Sequence, residues 1–362
     1  MKGKTKTYDE LLIYYLSGTG NALTASRWMT ENAEKKGVRT QLIPIDRQKE
    51  PFVPEIKGNT LIGFCFPTHG FGIPWAMLKF IWRFPKVKPA KVFISTTRAG
   101  SKLGSIFLPG ISGLAQWIPF LILLLKGYGI KGLLPLDMPS NWISVHPGYS
   151  SKVVDSIFKH CHELVDRFTE KLLADKRFYH PYVFIFLPID LALAPIMMGY
   201  QMYGRFLFAK LFVATDRCNA CGICVDKCPV GAIRMYGSKP YWTVNCESCM
   251  RCISICPERA IQVSHLLATI LIIALTMVPF YLLIFELFSQ LPGKVFSTLD
   301  FFAEWGLKVF LMVVIYWLVY LLMKFRIFSI LIEYTSLTRF WRGYRAPGIL
   351  PKDFFPFKKK DN

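Results

Sequence analysis

Eight of the ten cysteines in this chain of 362 residues lie between positions 218 and 256, in two copies of one pattern. Each copy has three cysteines separated by two residues, and then a fourth cysteine that is followed by proline. Three thiolates at this spacing can bind one corner of an iron–sulfur cube, whereas the cysteine before proline ligates the other cube of the pair. The pattern therefore predicts two [4Fe–4S] clusters whose ligands are exchanged between the copies. The expected ligands are Cys218, Cys221, Cys224 and Cys256 for cluster 1, and Cys246, Cys249, Cys252 and Cys228 for cluster 2.

Two other uses of cysteine fit this pattern poorly. A disulfide framework is typical of small secreted chains, and the charged, polar residues 1–9 do not have the character of a cleavable signal peptide. Zinc sites use isolated cysteine pairs rather than a doubled run of four. With all eight ligands in place, residues 212–264 resemble a bacterial-type ferredoxin domain with two clusters, which is a small α+β fold.

A second candidate site follows the first apolar run, residues 11–16, which we expect to be a buried strand. Residues 17–22 (SGTGNA) come next, and residues 23–36 have the pattern of a helix. Backbone N–H groups and hydroxyls at a helix N-terminus bind phosphate. The segment lacks the lysine of a nucleoside triphosphatase loop and the GxGxxG of a dinucleotide site. It resembles the S/T-x-T-G-N-T loop of flavodoxins, which implies that Ser17, Gly18, Thr19, Gly20, Asn21 and Ala22 bind the phosphate of FMN. Ala22 replaces the usual threonine and should remove one hydroxyl contact.

Further strands are expected at residues 38–45, 60–66, 90–95 and 133–138, with a closing helix at 151–174. Their β-branched runs, separated by helical stretches, predict a doubly wound parallel sheet, and such sheets bind ligands beyond the carboxyl ends of their strands. Two loops are expected there, and aromatic side chains such as Phe71 could stack on a flavin. The alternative is that these are ordinary loop aromatics. The candidate residues are Pro67, Thr68, His69, Gly70, Phe71 and Gly72 in one loop, and Thr96, Thr97, Arg98, Ala99 and Gly100 in the other.

A flavodoxin-like domain at 8–177 followed by a ferredoxin domain at 212–264 resembles the EFR-type flavodoxin–ferredoxin fusion family. The resemblance implies FMN and two [4Fe–4S] clusters as cofactors, with electrons passing between them. Between the domains lies an apolar connector, 178–211. Its run 182–198 approaches spanning length but contains Asp190 and two prolines, so we expect a half-buried or re-entrant segment at a membrane surface. The two remaining cysteines, Cys65 and Cys161, are expected to be structural, as are His160 and His162 on either side of Cys161.

Two transmembrane helices are predicted near the C-terminus. Residues 266–285 are twenty without a charge, enough to cross a bilayer, and 307–324 form a shorter second span. The connector 286–306 is acidic, whereas the tail 325–362 is basic and rich in aromatic residues. The positive-inside rule therefore places the connector outside, and both soluble domains and the tail in the cytoplasm, in a multi-pass protein of the cell membrane. The tail is expected to lie on anionic lipid, and the alternative is a tail that is merely solvated.

The sequence thus predicts a membrane-anchored electron-transfer protein that supplies low-potential electrons to a membrane-associated reductase or another redox partner protein. One alternative is an enzyme that reduces a lipophilic substrate such as a quinone, polyprenyl chain or lipid, with His69 as the only candidate acid. Another is a redox sensor or structural subunit. The net charge of +20 suits an anionic lipid surface or an acidic protein. No zinc-finger or helix-turn-helix motif indicates a nucleic-acid partner.

Overall fold

A parallel sheet with helices on both faces forms the first half of the chain. The computed structural model describes residues 7–56, 58–87, 90–273, 306, 310, 313–323 and 325–354. In the sheet the strands follow the order Arg39–Pro44, Glu10–Tyr15, Thr60–Pro67, Ala90–Leu103, Gly129–Pro139 and Phe178–Tyr179. Each pair of neighbours in this order is parallel. The first five strands of that order give the flavodoxin-like arrangement. In this arrangement the order in which strands are added to the sheet reverses between the first strand (Glu10–Tyr15) and the third (Thr60–Pro67). The predicted doubly wound sheet is therefore confirmed.

The strands and helices of this unit include the five strands and the two helices expected from the sequence. The strands are β1 (Glu10–Tyr15), β2 (Arg39–Pro44), β3 (Thr60–Pro67), β4 (Ala90–Leu103), β5 (Ile106–Leu108), β6 (Gly129–Pro139) and β7 (Phe178–Tyr179). The helices are α1 (Asn21–Lys35), α2 (Trp75–Arg83), α3 (Trp117–Leu125) and α4 (Ser151–Leu173).

Each face of the sheet has its own apolar core, because the strands are covered on both sides. On one face, Met29 of α1 and Phe168 of α4 pack against Leu11 and Leu134. On the other, Met77 of α2 and Leu123 of α3 pack against neighbouring strand residues. Burial on both faces explains why the strands read as continuous apolar runs rather than alternating ones.

Strand β4 is longer than the sequence suggested. It continues past residue 95 because its pairing with β6 extends as far as Gly100, opposite Pro139. Beyond that point it turns back in an antiparallel pair with β5. Residues 96–100 were expected to form a loop, and this expectation is wrong: they belong to the strand.

The cysteine-rich segment folds as two similar halves, and the 28-residue sequence repeat is also a structural repeat. Helix α9 (Ile223–Asp226) and strand β9 (Ile233–Tyr236) of the first half correspond to α10 (Arg251–Ile255) and β11 (Ile261–Val263) of the second. Left-handed backbone recurs at the same spacing, for example at Ala220 and Ser248. The remaining strands complete two antiparallel pairs: β8 (Phe212–Ala214) pairs with β11, and β10 (Lys239–Trp242) with β9.

Between the two units the chain forms short helices rather than one continuous apolar helix. They are α5 (Tyr182–Ile185), α6 (Leu187–Ala192), α7 (Ala194–Gly199), a π-helical turn (Tyr200–Gly204) and α8 (Arg205–Ala209). Prolines open α6 and α7, where their missing N–H groups break no helical hydrogen bond. Several large apolar side chains of these helices remain exposed, including Phe184, Ile185 and Ile196.

The C-terminal part contains α11 (265–273), α12 (Val313–Leu322) and α13 (Arg326–Tyr334). In the part of the chain that the structure describes, no single helix is long and apolar enough to cross a bilayer. Helices α12 and α13 reach the required length only together, and they are bent by 116°. Of the first predicted span, residues 274–285 lie outside the described residues, as do 286–305 of the connector and 355–362 of the tail.

Two aromatic residues of the tail pack on protein. Tyr344 and Phe354, which were expected to lie on lipid, are 5% and 1% exposed. The expectation is wrong for these two residues, because both are held by contacts with the earlier domains.

Candidate functional site

The eight cysteines of the repeat separate into two groups of thiols. Burial raises the pKa of Cys224 to about 12, and the neighbouring thiols that raise it further are Cys218, Cys256 and Cys221. Burial likewise raises the pKa of Cys252, and the neighbouring thiols that raise it further are Cys246, Cys249 and Cys228. We name these sets the outer thiol group (218, 221, 224, 256) and the inner thiol group (228, 246, 249, 252). The outer group consists of the residues expected to bind cluster 1, and the inner group of those expected to bind cluster 2.

The two groups differ in their access to solvent. In the inner group, Cys228, Cys246 and Cys252 are buried, whereas Cys221 of the outer group is exposed and its three companions are partly exposed. A small pocket in the outer group is lined by all four of its cysteines. The chain therefore has one shielded thiol group and one that opens to the surface.

Backbone N–H groups point at sulfur in both groups. The amide of Ala232 donates to Cys228 Sγ at 3.2 Å, and the amide of Ala260, 28 positions later, donates to Cys256 Sγ at 3.4 Å. Hydrogen bonds of this kind stabilise negative charge on thiolate ligands and raise the potential of an iron–sulfur cluster. Within the described residues, no three His, Cys, Asp or Glu side chains are arranged to hold a single metal ion.

The expected phosphate loop lies where β1 ends and α1 begins, at the carboxyl edge of the sheet. All six of its residues are buried, and Gly20 has φ of +108°, a conformation that favours glycine. Asn141, which follows β6, donates from Nδ2 to Thr19 Oγ1 at 3.0 Å. Asn21 donates from Nδ2 to the carbonyl of Pro139 at 2.9 Å. The loop is thus held by the end of β6.

The second expected segment is a tight turn after β3. The amide of His69 donates to Gly72 O at 2.9 Å and the return bond is 3.0 Å, while Gly70 and Phe71 both have positive φ. His69 is partly exposed, yet enough protein surrounds it that burial lowers its pKa to about 4. Its ring is therefore neutral near pH 7 and a poor proton donor.

The connector helices cover this turn. A Cβ added to Gly70 would lie 2.1 Å from the ring of Tyr200, and one added to Gly72 would lie 2.7 Å from Met197. The outer face of the turn is therefore closed by the chain itself.

The third expected segment has its charge neutralised by protein. Arg98 is buried and donates to Asp137 from Nε at 2.7 Å and from Nη2 at 3.0 Å. Its guanidinium also lies over the rings of Tyr182 and Phe186, 5.5 Å from each centroid. Arg98 thus ties β4 to β6 and to α5. Its position in the strand argues against direct flavin binding by this side chain.

Three hydroxyls at the carboxyl edge test whether the site fits FMN. Ser17 Oγ, Thr68 Oγ1 and Thr96 Oγ1 are buried and have no hydrogen-bond partner among the described residues. Ser17 and Thr68 follow the ends of β1 and β3, and Thr96 lies within the neighbouring strand β4, opposite Phe66 near the end of β3. Buried hydroxyls without partners are costly unless a ligand or water satisfies them. Together with the N-terminus of α1, this donor set fits a phosphate-bearing ligand such as FMN.

The phosphate loop and the inner thiol group touch. A Cβ added to Gly18 would lie 1.9 Å from the carbonyl oxygen of Cys249. Only glycine permits this approach, because any side chain would overlap the backbone of a cluster ligand. The structure thus brings two expected cofactor sites into direct backbone contact.

Arg251, which no sequence motif singled out, lies at the centre of this contact. It donates to Ser17 O from Nε at 3.1 Å and from Nη2 at 2.5 Å, and to Lys227 O from Nη1 at 2.8 Å. It also forms a buried ion pair with Asp46. Burial disfavours the guanidinium charge, but the Asp46 carboxylate raises the pKa of Arg251, so the charge is retained.

A second arginine strengthens the same interface. Arg47 follows Asp46 and donates from Nε to Cys228 O at 2.9 Å, and its amide donates to Pro229 O at 2.7 Å. Both arginines thus bind the ferredoxin-like unit to the carboxyl edge of the sheet. No local sequence pattern could have indicated this, since each contact joins residues far apart in the chain.

Comparisons with known proteins agree with the cysteine pattern over a short stretch. Residues 211–234 match the family described as 4Fe-4S binding domain. No curated protein matches the sequence.

Among solved structures, rubredoxin oxygen:oxidoreductase from the anaerobe Desulfovibrio gigas matches at 16% identity over 47% of this chain and 38% of its own, with a TM-score of 0.28. This chain therefore corresponds to well under half of that protein. A flavodoxin of Streptococcus pneumonia TIGR4 matches at 10% identity over 46% and 99% of the two chains, with a TM-score of 0.31. Flavodoxin 1 from Bacillus cereus matches at 15% identity over 43% and 97%, with a TM-score of 0.30. The fold assignment rests on the strand order and not on these similarities.

Proposed function

We propose that this protein transfers electrons between FMN and two [4Fe–4S] clusters held in one chain. The observation that carries the proposal is the contact of Gly18 with the backbone of Cys249, which joins the phosphate loop to the inner thiol group. When bound, FMN exchanges one or two electrons and each [4Fe–4S] cluster exchanges one, so the pair can couple the two kinds of chemistry. Fusion of the two units raises the effective concentration of each for the other.

The two thiol groups occupy different positions relative to the phosphate loop and the protein surface. The inner thiol group lies against the phosphate loop and is shielded, whereas the outer group reaches the surface at Cys221. Cluster 2 is therefore the one next to the flavin, and cluster 1 is the one that a redox partner protein can approach. We propose that this partner docks beside Cys221 and Glu258, which line the same small pocket.

We also propose that the protein works at the cell membrane, with both soluble units on the cytoplasmic side. The uncharged run 266–285 and the net charge of +20 support this. A set of exposed apolar side chains on neighbouring helices gives further support, because large contiguous apolar patches mark contact surfaces. We name it the apolar face: Leu121, Leu124, Leu125, Phe184, Ile185, Ile189, Leu191, Ile196 and Met198.

The membrane proposal is tested with liposomes of mixed neutral and anionic lipid. Replacing Leu121 and Leu125 with Lys should weaken co-flotation of the protein, and Ile106→Lys is the matched control. Ile106 is 63% exposed, but it lies on β5, beside α4 on the opposite side of the sheet. Equal flotation of all variants would remove the apolar face from the proposal and leave only the C-terminal runs as anchors.

An enzyme that reduces a lipophilic substrate is the second candidate. The observation that favours it is the position of Met197 and Tyr200 of the connector directly over the turn at Gly70 and Gly72. Burial lowers the pKa of His69 to about 4, which weakens its role as an acid. A short-chain quinone given to the reduced protein decides between the two: turnover without any partner protein favours the enzyme.

Cofactor content and an anaerobic reductive titration test the main proposal. We expect about eight irons and one FMN per chain, all reduced by the same reductant. Eight irons without flavin would reject the FMN site and leave a ferredoxin fused to a flavin-free domain. Four irons would reject the second cluster.

A further inference from the structure

The C-terminal segment 341–354, which we name the strap, crosses from the ferredoxin-like unit to the phosphate loop. At its start, Arg259 donates from Nη2 to Trp341 O at 3.0 Å, and the amide of Gly148 donates to Arg342 O at 2.7 Å. Further along, Arg345 donates from Nη1 to Ser254 O at 3.3 Å. The start of the strap is thus fixed to both units, by Arg259 and Ser254 of the ferredoxin-like unit and by Gly148 of the flavodoxin-like one.

The middle of the strap binds the phosphate loop directly. The hydroxyl of Tyr344 donates to Asn21 Oδ1 at 2.5 Å, and the amide of Ala346 donates to Thr19 O at 2.9 Å. A Cβ added to Gly20 would lie 2.8 Å from Ala346 and 3.0 Å from Ile349. Two polar groups of the loop and one of its glycines are therefore covered by the strap.

The end of the strap is also fixed. Asp353 pairs with Arg27 of α1 at 2.8 Å. The ring of Phe354 lies over Arg251, 4.6 Å from the guanidinium carbon, and is 1% exposed. Because Arg251 itself bonds Ser17 O, the strap contacts the loop, helix α1 and the interface with the inner thiol group.

These contacts also fix the orientation of a loop side chain. Asn21 uses Nδ2 to bond Pro139 O, so its Oδ1 needs a donor, and Tyr344 supplies one. Tyr344 is 5% exposed, so no bulk water replaces that donor if it is lost. Tyr344 is therefore a positioning residue, which acts on the phosphate loop through Asn21.

We propose that the strap closes the phosphate loop and retains bound FMN, so that the flavin leaves the protein only slowly. This inference rests on the proposed function, since it requires that the loop binds FMN. The strap joins the loop at 19–21 to residues beyond 340, and release of FMN requires part of it to open. Binding and closure are then linked: FMN stabilises the closed strap, and the closed strap slows FMN release.

Two tyrosine variants test the proposal by the rate of FMN release. The release is followed by the fluorescence of free FMN that appears after the holoprotein is diluted strongly into flavin-free buffer, where rebinding is negligible. Tyr344→Phe removes only the hydroxyl that bonds Asn21, and we expect release to be faster by about fivefold, as for the loss of one buried hydrogen bond. Tyr8→Phe is the matched control. Tyr8 is also buried and donates one bond of 2.5 Å, to Asp175, far from the loop.

A second readout does not depend on the rate of release. Hydrogen exchange of strap peptides is compared in the FMN-loaded and FMN-free protein, and we expect slower exchange at 344–354 when FMN is bound. Asp353→Asn, which breaks the pair with Arg27, should raise exchange in both states and speed FMN release.

The outcomes separate the strap from the proposed function. If wild-type protein binds no FMN, the proposed function fails and the strap proposal fails with it. If FMN binds but Tyr344→Phe releases it at the wild-type rate and strap exchange is the same with and without FMN, only the strap proposal is overturned. Equal acceleration by Tyr344→Phe and Tyr8→Phe would also overturn it, because the effect would then be general destabilisation.

Discussion

The buried pair of Arg251 and Asp46 should hold the two units together, and its loss should open their interface. The two side chains are 1% and 2% exposed. Arg251→Gln leaves the Asp46 carboxylate buried without a partner, and breaking a buried pair in this way costs about 3–5 kcal/mol. Since about 1.36 kcal/mol is a factor of ten, the opening equilibrium should rise by about one hundred- to several thousand-fold.

Native-state hydrogen exchange measures this opening at the amides of residues 15–20 and 246–253. Lys36→Gln is the control, because its pair with Glu170 has exposed side chains (40% and 55%) and should change exchange by less than about fivefold. Asp46→Asn combined with Arg251→Gln should cost less than the sum of the two single changes, since neither charge is then left alone. Iron and flavin are measured on every sample.

A rise of less than about tenfold in Arg251→Gln, or strict additivity in the double variant, would refute the reasoning. The first result would mean that the interface does not depend on this pair. The second would mean that the two side chains do not interact in solution.

Three further predictions concern the cofactor sites. Gly18→Ala should slow electron transfer between flavin and clusters in rapid-mixing experiments, because the added Cβ would lie 1.9 Å from the carbonyl oxygen of Cys249 and force the two backbones apart. Gly199→Ala is the control and should not slow it, because the space around Gly199 is open. Cys228→Ser should alter the EPR signal of the shielded cluster and Cys256→Ser that of the surface cluster, and the reverse assignment would reject the exchanged ligation. Burial lowers the pKa of His69 from 6.5 to about 4, so the unfolded state binds a proton at this residue at higher pH than the folded state does. The melting temperature should therefore fall as the pH drops from 6.5 towards 4, with no such loss above pH 7. His69→Gln should flatten that part of the profile.

The parts of the fold that depend on local sequence were predictable. The 28-residue spacing of the cysteines indicated two similar halves, because each half of the repeat is a continuous stretch whose turns and helix are set by neighbouring residues. The apolar runs gave the strands of the parallel sheet for the same reason, since burial on both faces leaves a simple pattern. The end of β4 was missed because its continuation depends on pairing with β6, which no local pattern records.

The contacts that join the units could not be predicted from one sequence. Arg251 bonds a residue 234 positions away, and Tyr344 bonds one 323 positions away. Basic and aromatic residues in a C-terminal tail fit a lipid surface and a protein surface equally well by composition. Burial of Tyr344 and Phe354 follows only from the tertiary arrangement.

Flash photoreduction of the flavin in the anaerobic, fully loaded protein tests the central claim most directly. Absorbance of the clusters is followed over a range of protein concentrations. We expect the clusters to be reduced at a rate that does not change with concentration, because electrons pass within one chain through the contact of the phosphate loop with the inner thiol group. Clusters that stay oxidised, or a rate proportional to protein concentration, would contradict the account.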